Sequence, residues 1–171
     1  LREPPLQEAS LGLLPDQRKR PSVGGPRLFG SAQTPTQIGT GGVREVVVNT
    51  AWLEEQFPAA LGDGSRWGLA IRYSAEGRDH GGALETAGGI RKALPWLAPR
   101  GDESFWVVSG DIYMPGFALD AALAEAFAAS TDLGALWLVP NPAFHGSGDF
   151  DLVAGRLRRG VPGAAHGWTY A

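Results

Sequence analysis

From residue 43 onward the sequence alternates short apolar runs with stretches of helical periodicity, and that alternation confines it to an α/β fold. Residues 45–49 are a short β-branched run. Residues 51–61 follow with Leu53, Phe57 and Leu61 at helical spacing, Thr50 as the expected N-cap, and Glu54 and Glu55 in the first turn, where a helix dipole favours acid. Pro58 conflicts with this helix and is expected to kink or shorten it. Residues 62–65 read as a turn, 69–73 as a second strand, and 75–83 as a polar, glycine-rich loop. A helix over 87–97 sets Ile90, Leu94 and Leu97 on one face, with Pro95 near its end. Residues 105–109 form a third strand, 117–130 the clearest helix (Leu119, Leu123 and Phe127 in register), and 135–139 a fourth strand. Strands separated by helices of this length pair in parallel through right-handed crossovers, so a mostly parallel sheet with helices on both faces is expected. Beyond Pro140 come loop and a hairpin made of 150–154, a turn, and a last strand near 168–170.

Bulk composition narrows the function classes. The 171 residues suffice for one domain with a sizeable core, and 43% hydrophobic against 19% charged residues is ordinary for a globular protein. Net charge is −3, so no basic field points to nucleic acid or an anionic membrane. The absence of cysteine excludes disulfides and cysteine-ligated zinc and fits a reducing compartment. No apolar run approaches membrane-spanning length, and no basic segment followed by an apolar one opens the sequence, so the cytoplasm is the expected location. The three histidines, His80, His145 and His166, lack metal-ligand spacing and read as surface or loop residues.

Residues 1–42 read differently. Six of the 13 prolines fall there, and with Gly24, Gly25 and Gly30 they break every candidate element. The expected organisation is an irregular segment over 1–42 and a folded domain over 43–171. Arg18, Lys19 and Arg20 form a short basic run whose default reading is solvated surface.

The stretch with most chemical content is Phe105-Trp106-Val107-Val108 running into Ser109-Gly110-Asp111. It leaves a carboxylate at the carboxyl end of a buried strand, where open α/β sheets bind ligands. Asp111 is either a turn aspartate or a Mg²⁺ ligand. Around it stand Val46-Val47-Val48-Asn49-Thr50-Ala51-Trp52-Leu53, Leu61-Gly62-Asp63-Gly64-Ser65-Arg66-Trp67-Gly68, Ile71-Arg72-Tyr73-Ser74 and Leu84-Glu85-Thr86-Ala87-Gly88-Gly89 upstream. Downstream come Asn141-Pro142 and His145-Gly146-Ser147-Gly148-Asp149-Phe150. In that order the set resembles the sugar-1-phosphate nucleotidyltransferases, and within them the N-acetylmuramate-1-phosphate uridylyltransferases of peptidoglycan recycling. The resemblance runs from about Val43 to Ala171.

The resemblance implies a Rossmann-like, GT-A-like three-layer α/β/α fold, present here in part. It implies Mg²⁺-dependent transfer of a nucleotidyl group from an NTP, UTP first, to a sugar 1-phosphate, N-acetylmuramate 1-phosphate first. A mannose-1-phosphate guanylyltransferase-like enzyme is the alternative within the family. Asp111 takes the metal-ligand position. Glu85, Thr86, Ala87 and Gly88 match the loop around the nucleobase, where glycine admits a planar base and Thr86 doubles as a candidate N-cap. Glu76 lies in a similar loop and is either a nucleotide contact or a structural residue. Ser109 stands where the family has asparagine, which shortens the side chain and removes an amide donor. Asp149 matches a position that contacts the sugar phosphate, and the alternative is a plain loop aspartate. Asn49 and Trp52 read as the end of a strand and the packing of a helix.

Before residue 43 the resemblance fails. The family's phosphate loop, of the form Leu-Ala-Ala-Gly-x-Gly-x-Arg-Met-Arg-Pro, has no counterpart. Its catalytic lysine falls, by spacing, near Arg20, a doubtful stand-in. Its second metal-binding aspartate falls outside this sequence. Without the anion cradle of that loop, poor turnover is expected. A non-catalytic nucleotide- or sugar-binding remnant therefore stands beside the enzyme.

Overall fold

The computed structural model describes residues 7–11, 27–29, 42–101, 103–110, 117–159 and 168–170. It divides into two compact units, residues 19–129 on the one hand and 1–18 with 130–171 on the other. The sequence reading set its single boundary at residue 42 instead.

The 19–129 unit is built on a four-stranded parallel sheet of β2 (Arg27–Phe29), β3 (Glu45–Thr50), β4 (Ala70–Ala75) and β5 (Phe105–Val107), in the order β4-β3-β2-β5. The expected parallel α/β sheet is therefore present. Val46, Val47 and Val48 are all buried, so both faces of β3 are covered, as suits an inner parallel strand. On one face Val47 packs with Ala93 and Leu97 of α3 (Glu85–Leu97), with Ile90 and Phe105 alongside. Apolar residues at helical spacing meeting a β-branched strand carry this core.

Several elements differ from their sequence expectations, each for an identifiable reason. The helix expected over 51–61 starts only at Gln56 (α1, Gln56–Leu61), with Glu55 rather than Thr50 as its N-cap. The late start puts Pro58 in the first turn, where a missing N–H costs nothing. Residues 51–55 then form a bend with Leu53 at φ 53°, and Trp52 and Leu53 are exposed instead of packed. The loop expected over 75–83 contains a short helix, α2 (Glu76–His80), ended by Gly81 at φ 79°. Its first N–H groups are capped from a distance: the Glu54 carboxylate accepts from Gly77 N at 2.8 Å and Arg78 N at 3.1 Å. The helix expected over 117–130 is α4 (Ala121–Ala129), and Asp120 sets its start by accepting from Ala122 N at 2.8 Å.

Two placements in the sheet also correct the sequence reading. Residues 1–42, read as irregular, contribute β2, which pairs with β3 on one side and β5 on the other. β2 thus takes an inner position, and among the described residues β5, the strand read as buried, ends the order on that side. Residues 135–139 were expected as a fourth parallel strand. They lie instead in β6 (Gly134–Pro140) of the other unit, antiparallel to β1 (Gln7–Leu11) over a five-residue register from Gln7↔Leu138 to Leu11↔Gly134.

In that second unit β1, β6, β9 (Trp168–Tyr170), β7 (Phe150–Val153) and β8 (Arg156–Arg159) form a closed barrel, completed by the parallel bridge Ser10↔Arg156. Leu138 and Leu157 are buried within it, packed by Leu136, Phe150 and Leu152. β7 and β9 fall where strands were expected, but the hairpin partner of β7 is β8 rather than the last strand, which meets β7 at Phe150↔Trp168. The two-residue turn between β7 and β8 has both central residues at positive φ, Ala154 at 51° and Gly155 at 74°, as the twist of a tight hairpin demands. Among the described residues no helix is long and apolar enough to cross a membrane.

Candidate nucleotide site

The order β4-β3-β2-β5 places a topological switch point between β2 and β5: from β2 the chain winds one way through β3 and β4, then returns to the other side for β5. Ligands of open parallel sheets bind outside the carboxyl ends of the strands at such a point. The residues at those ends are Asn49 and Thr50 closing β3, Ala75 closing β4 with Glu76 after it, and Val108 and Ser109 after β5. Ser109 is half-buried directly past β5. Asp111 and Arg20 lie outside the described residues, as does His166.

Glu76 is the anchor of this edge. It is 1% exposed, and both carboxylate oxygens are engaged: Oε1 accepts from Asn49 Nδ2 at 3.3 Å and Oε2 from Leu84 N at 2.9 Å. A buried carboxylate requires such partners. Close beside it Gly77 has no room for a side chain, since a Cβ there would lie 2.6 Å from the Ala51 carbonyl oxygen. Lys92, reaching back from α3, donates to the Ala75 carbonyl at 2.6 Å and to Asp79 Oδ2 at 2.7 Å, while Arg78 Nε donates to Asp79 Oδ1 at 2.8 Å. The hydrogen bonds from Arg78 and then Lys92 hold the Asp79 carboxyl at about 2, well below the usual carboxylate range. Ser74, fully buried at the end of β4, has a hydroxyl with no hydrogen-bond partner among the described residues.

The turn that opens α3 holds the residues that the sequence reading expects at the nucleobase. Leu84 is the N-cap, so Thr86 lies inside the helix and is not its cap; no side chain caps this end. Glu85 has φ 59°, a left-handed conformation that is uncommon with a Cβ, and Glu85, Thr86 and Ala87 are exposed. Gly88 lets Leu84 fold over it, because a Cβ there would meet Leu84 Cβ at 2.7 Å. Glu76 and the 85–88 turn are thus joined directly, through the Leu84 amide. Sequence reasoning missed Glu54 and Lys92. Glu54 looked like an ordinary first-turn acid, and neither of their partners is a sequence neighbour.

Asp149 belongs to the other compact unit and is described with it. It is half-buried, and His145 Nε2 lies 3.1 Å from its Oδ1. The loop holding the pair is closed on itself by Asn141 Nδ2 donating to the Gly146 carbonyl at 3.3 Å and His145 N to the Pro142 carbonyl at 2.9 Å. His145, read as a bare loop residue, therefore has a carboxylate partner. Among the described residues no cluster of three or more His, Asp or Glu side chains forms a ready metal cage.

No protein-family model matches the chain. Among curated proteins it is 41% identical over 135 residues to the N-acetylmuramate alpha-1-phosphate uridylyltransferase of Neisseria meningitidis serogroup B, a match covering 76% of this chain and 54% of that protein. It is 36% identical over 75 residues to the UTP–glucose-1-phosphate uridylyltransferase of a Synechocystis species, covering 41% of this chain and 19% of that protein. The chain thus spans about half the length of the first of these relatives. Its resemblance to the sugar-1-phosphate nucleotidyltransferases holds over most of its own length.

Proposed function

We propose that this chain, a relative of the sugar-1-phosphate nucleotidyltransferases, carries the nucleotide-binding part of an enzyme that joins UTP to N-acetylmuramate 1-phosphate and releases pyrophosphate, in peptidoglycan recycling. The observation that carries the reading is the parallel sheet whose switch point lies beside the carboxyl end of β5, within the stretch that matches a uridylyltransferase. In the reaction a phosphate oxygen of the sugar 1-phosphate attacks the α-phosphorus in line, the bond to the β-phosphate oxygen breaks, and pyrophosphate leaves. The obstacle is concentrated negative charge, so donors and cations matter more than a general base.

The exposed turn over 85–88 offers main-chain groups to the edge of the uracil ring, and Gly88 admits the ring's plane. Ser109 offers a hydroxyl beside the nucleotide. Asp149 accepts hydrogen bonds from the acceptor sugar. Mg²⁺ is usually held by only one or two carboxylates together with substrate phosphates, and by the resemblance Asp111 would be the chain's ligand. Bound there, the ion would neutralise charge developing on the phosphates. Arg20 would supply a cation in place of the family lysine, with a different geometry.

The missing phosphate loop favours a second reading, in which the chain binds nucleotide without turning it over. Pyrophosphate release from UTP and N-acetylmuramate 1-phosphate with Mg²⁺ separates the two. The 171-residue chain is expected to release it at least about a hundredfold more slowly than the same chain carrying a family-like loop, the usual cost of losing even one oxyanion donor. In the loop-restored protein Asp111→Asn is expected to abolish release. Robust release by the unaltered chain would overturn the role given to the loop, and UTP binding with no release after restoration would favour the binding module.

A further inference from the structure

We infer that Glu76 is a positioning residue whose buried carboxylate presets the turn at the start of α3 for one nucleobase edge. The inference rests on the reading of residues 85–88 as nucleotide contacts. At 1% exposure Glu76 is withdrawn from any ligand, yet its Oε2 holds the amide of Leu84, the residue on which α3 begins. Its Oε1 holds Asn49 at the carboxyl end of β3, so the tie runs from the sheet to the turn. The next residue, Glu85, sits at φ 59°, and a residue with a Cβ stays in that region only where its surroundings over-determine it. Here the constraint comes from both sides. Upstream is the Glu76 bond to Leu84, and downstream is the close packing of Leu84 on Gly88, which leaves no space for a Cβ. Glu85, Thr86 and Ala87 between them are exposed, so burial of their own side chains does not account for the held conformation. A backbone turn fixed in this way presents its N–H and C=O groups to a planar ligand without an ordering cost at the moment of binding.

The test uses the intact chain with UTP and CTP, which differ at one base edge, and reads both dissociation constants and the hydrogen exchange of amides 84–88. Glu76→Leu removes both acceptor oxygens. It is expected to collapse the preference between the two nucleotides by about tenfold, on the scale of one lost hydrogen bond, and to speed exchange over 84–88 while β3 and β4 stay protected. Glu76→Gln keeps an acceptor for the Leu84 amide and is expected to restore most of the preference. Gly88→Ala displaces Leu84 from the other side, and should reproduce the Glu76→Leu loss even if that variant folds poorly. A Glu76→Leu protein with lowered melting temperature but unchanged preference and exchange would reduce Glu76 to a stability role. Glu76→Gln losing UTP as fully as Glu76→Leu would mean that the charge acts on the ligand itself. If the unaltered chain prefers neither nucleotide, while exchange over 84–88 still responds to Glu76→Leu, the tie is real but the nucleotide reading of the turn falls, and this inference with it.

Discussion

Asp79 receives Lys92 and Arg78 together, and the consequence is measurable by titration. Its folded-state carboxyl is held at about 2, below its ordinary value, so whatever the ion pairs contribute to stability is fully present above the ordinary carboxylate range and is lost as pH falls toward 2. A carbon-detected NMR titration should show Asp79 still ionised at pH 3; a midpoint near 4 would mean that the pairs are not made in solution. At Gly77 the constraint is steric. A Cβ would press on the Ala51 carbonyl at 2.6 Å, and backbone yields less readily than a side-chain tip. Gly77→Ala is expected to cost about 1–3 kcal/mol in chemical denaturation, as overpacking does. Neither effect was legible in the sequence, because Gly77 read as one glycine of a polar loop and Lys92 is thirteen positions from the Asp79 it meets.

Elements were legible where their own residues decide them. The run Val46–Val48 declares a buried strand, and Ile90 and Leu97 at helical spacing declare the face of α3 that covers it, although Ala93 rather than the expected Leu94 completes that face and Leu94 is exposed. They became illegible where a distant residue decides. α2 exists because Glu54 supplies its cap, and β6 pairs as it does because β1 offers an antiparallel edge. For the candidate site, the sequence pointed to the 85–88 turn and the end of β5 and left Glu76 open between nucleotide contact and structural residue; that Glu76 turns inward to hold the Leu84 amide depends on a fold that brings the two together. The β7–β8 hairpin carries a local flaw that invites repair. Ala154 occupies a left-handed turn position that asparagine tolerates better, so Ala154→Asn should raise stability by roughly 0.5–1 kcal/mol, read as a shift in the denaturation midpoint. A fall would show that the turn is not of the tight two-residue kind.

At the scale of the whole molecule, the parallel sheet is held together by its shortest pieces. β2 is three residues long, and among the described residues it alone joins β5 to β3 and β4. Leu28→Pro would delete a ladder N–H in its middle and is expected to release β5. Amides 105–107 should then exchange freely, while those of β3 and β4, paired over six residues, keep their protection. Equal loss in all strands would mean that the sheet opens only as one piece.

The barrel has a consequence in time as well as in space. β1 lies early in the sequence, but both strands it pairs with, β6 and β8, come after the entire 19–129 unit. On a ribosome, which delivers the chain from its amino end, β1 emerges with two open edges and waits until the whole 19–129 unit has been made. An unpaired strand is a template for any other strand it meets. The inserted unit can begin to condense during that wait, because β3 and β4 are close in sequence, whereas the barrel must close a long loop last. Expression yield should therefore respond more to translation speed and temperature than equilibrium stability alone would suggest, with aggregation seeded by a strand that is stable only once its late-made partners arrive.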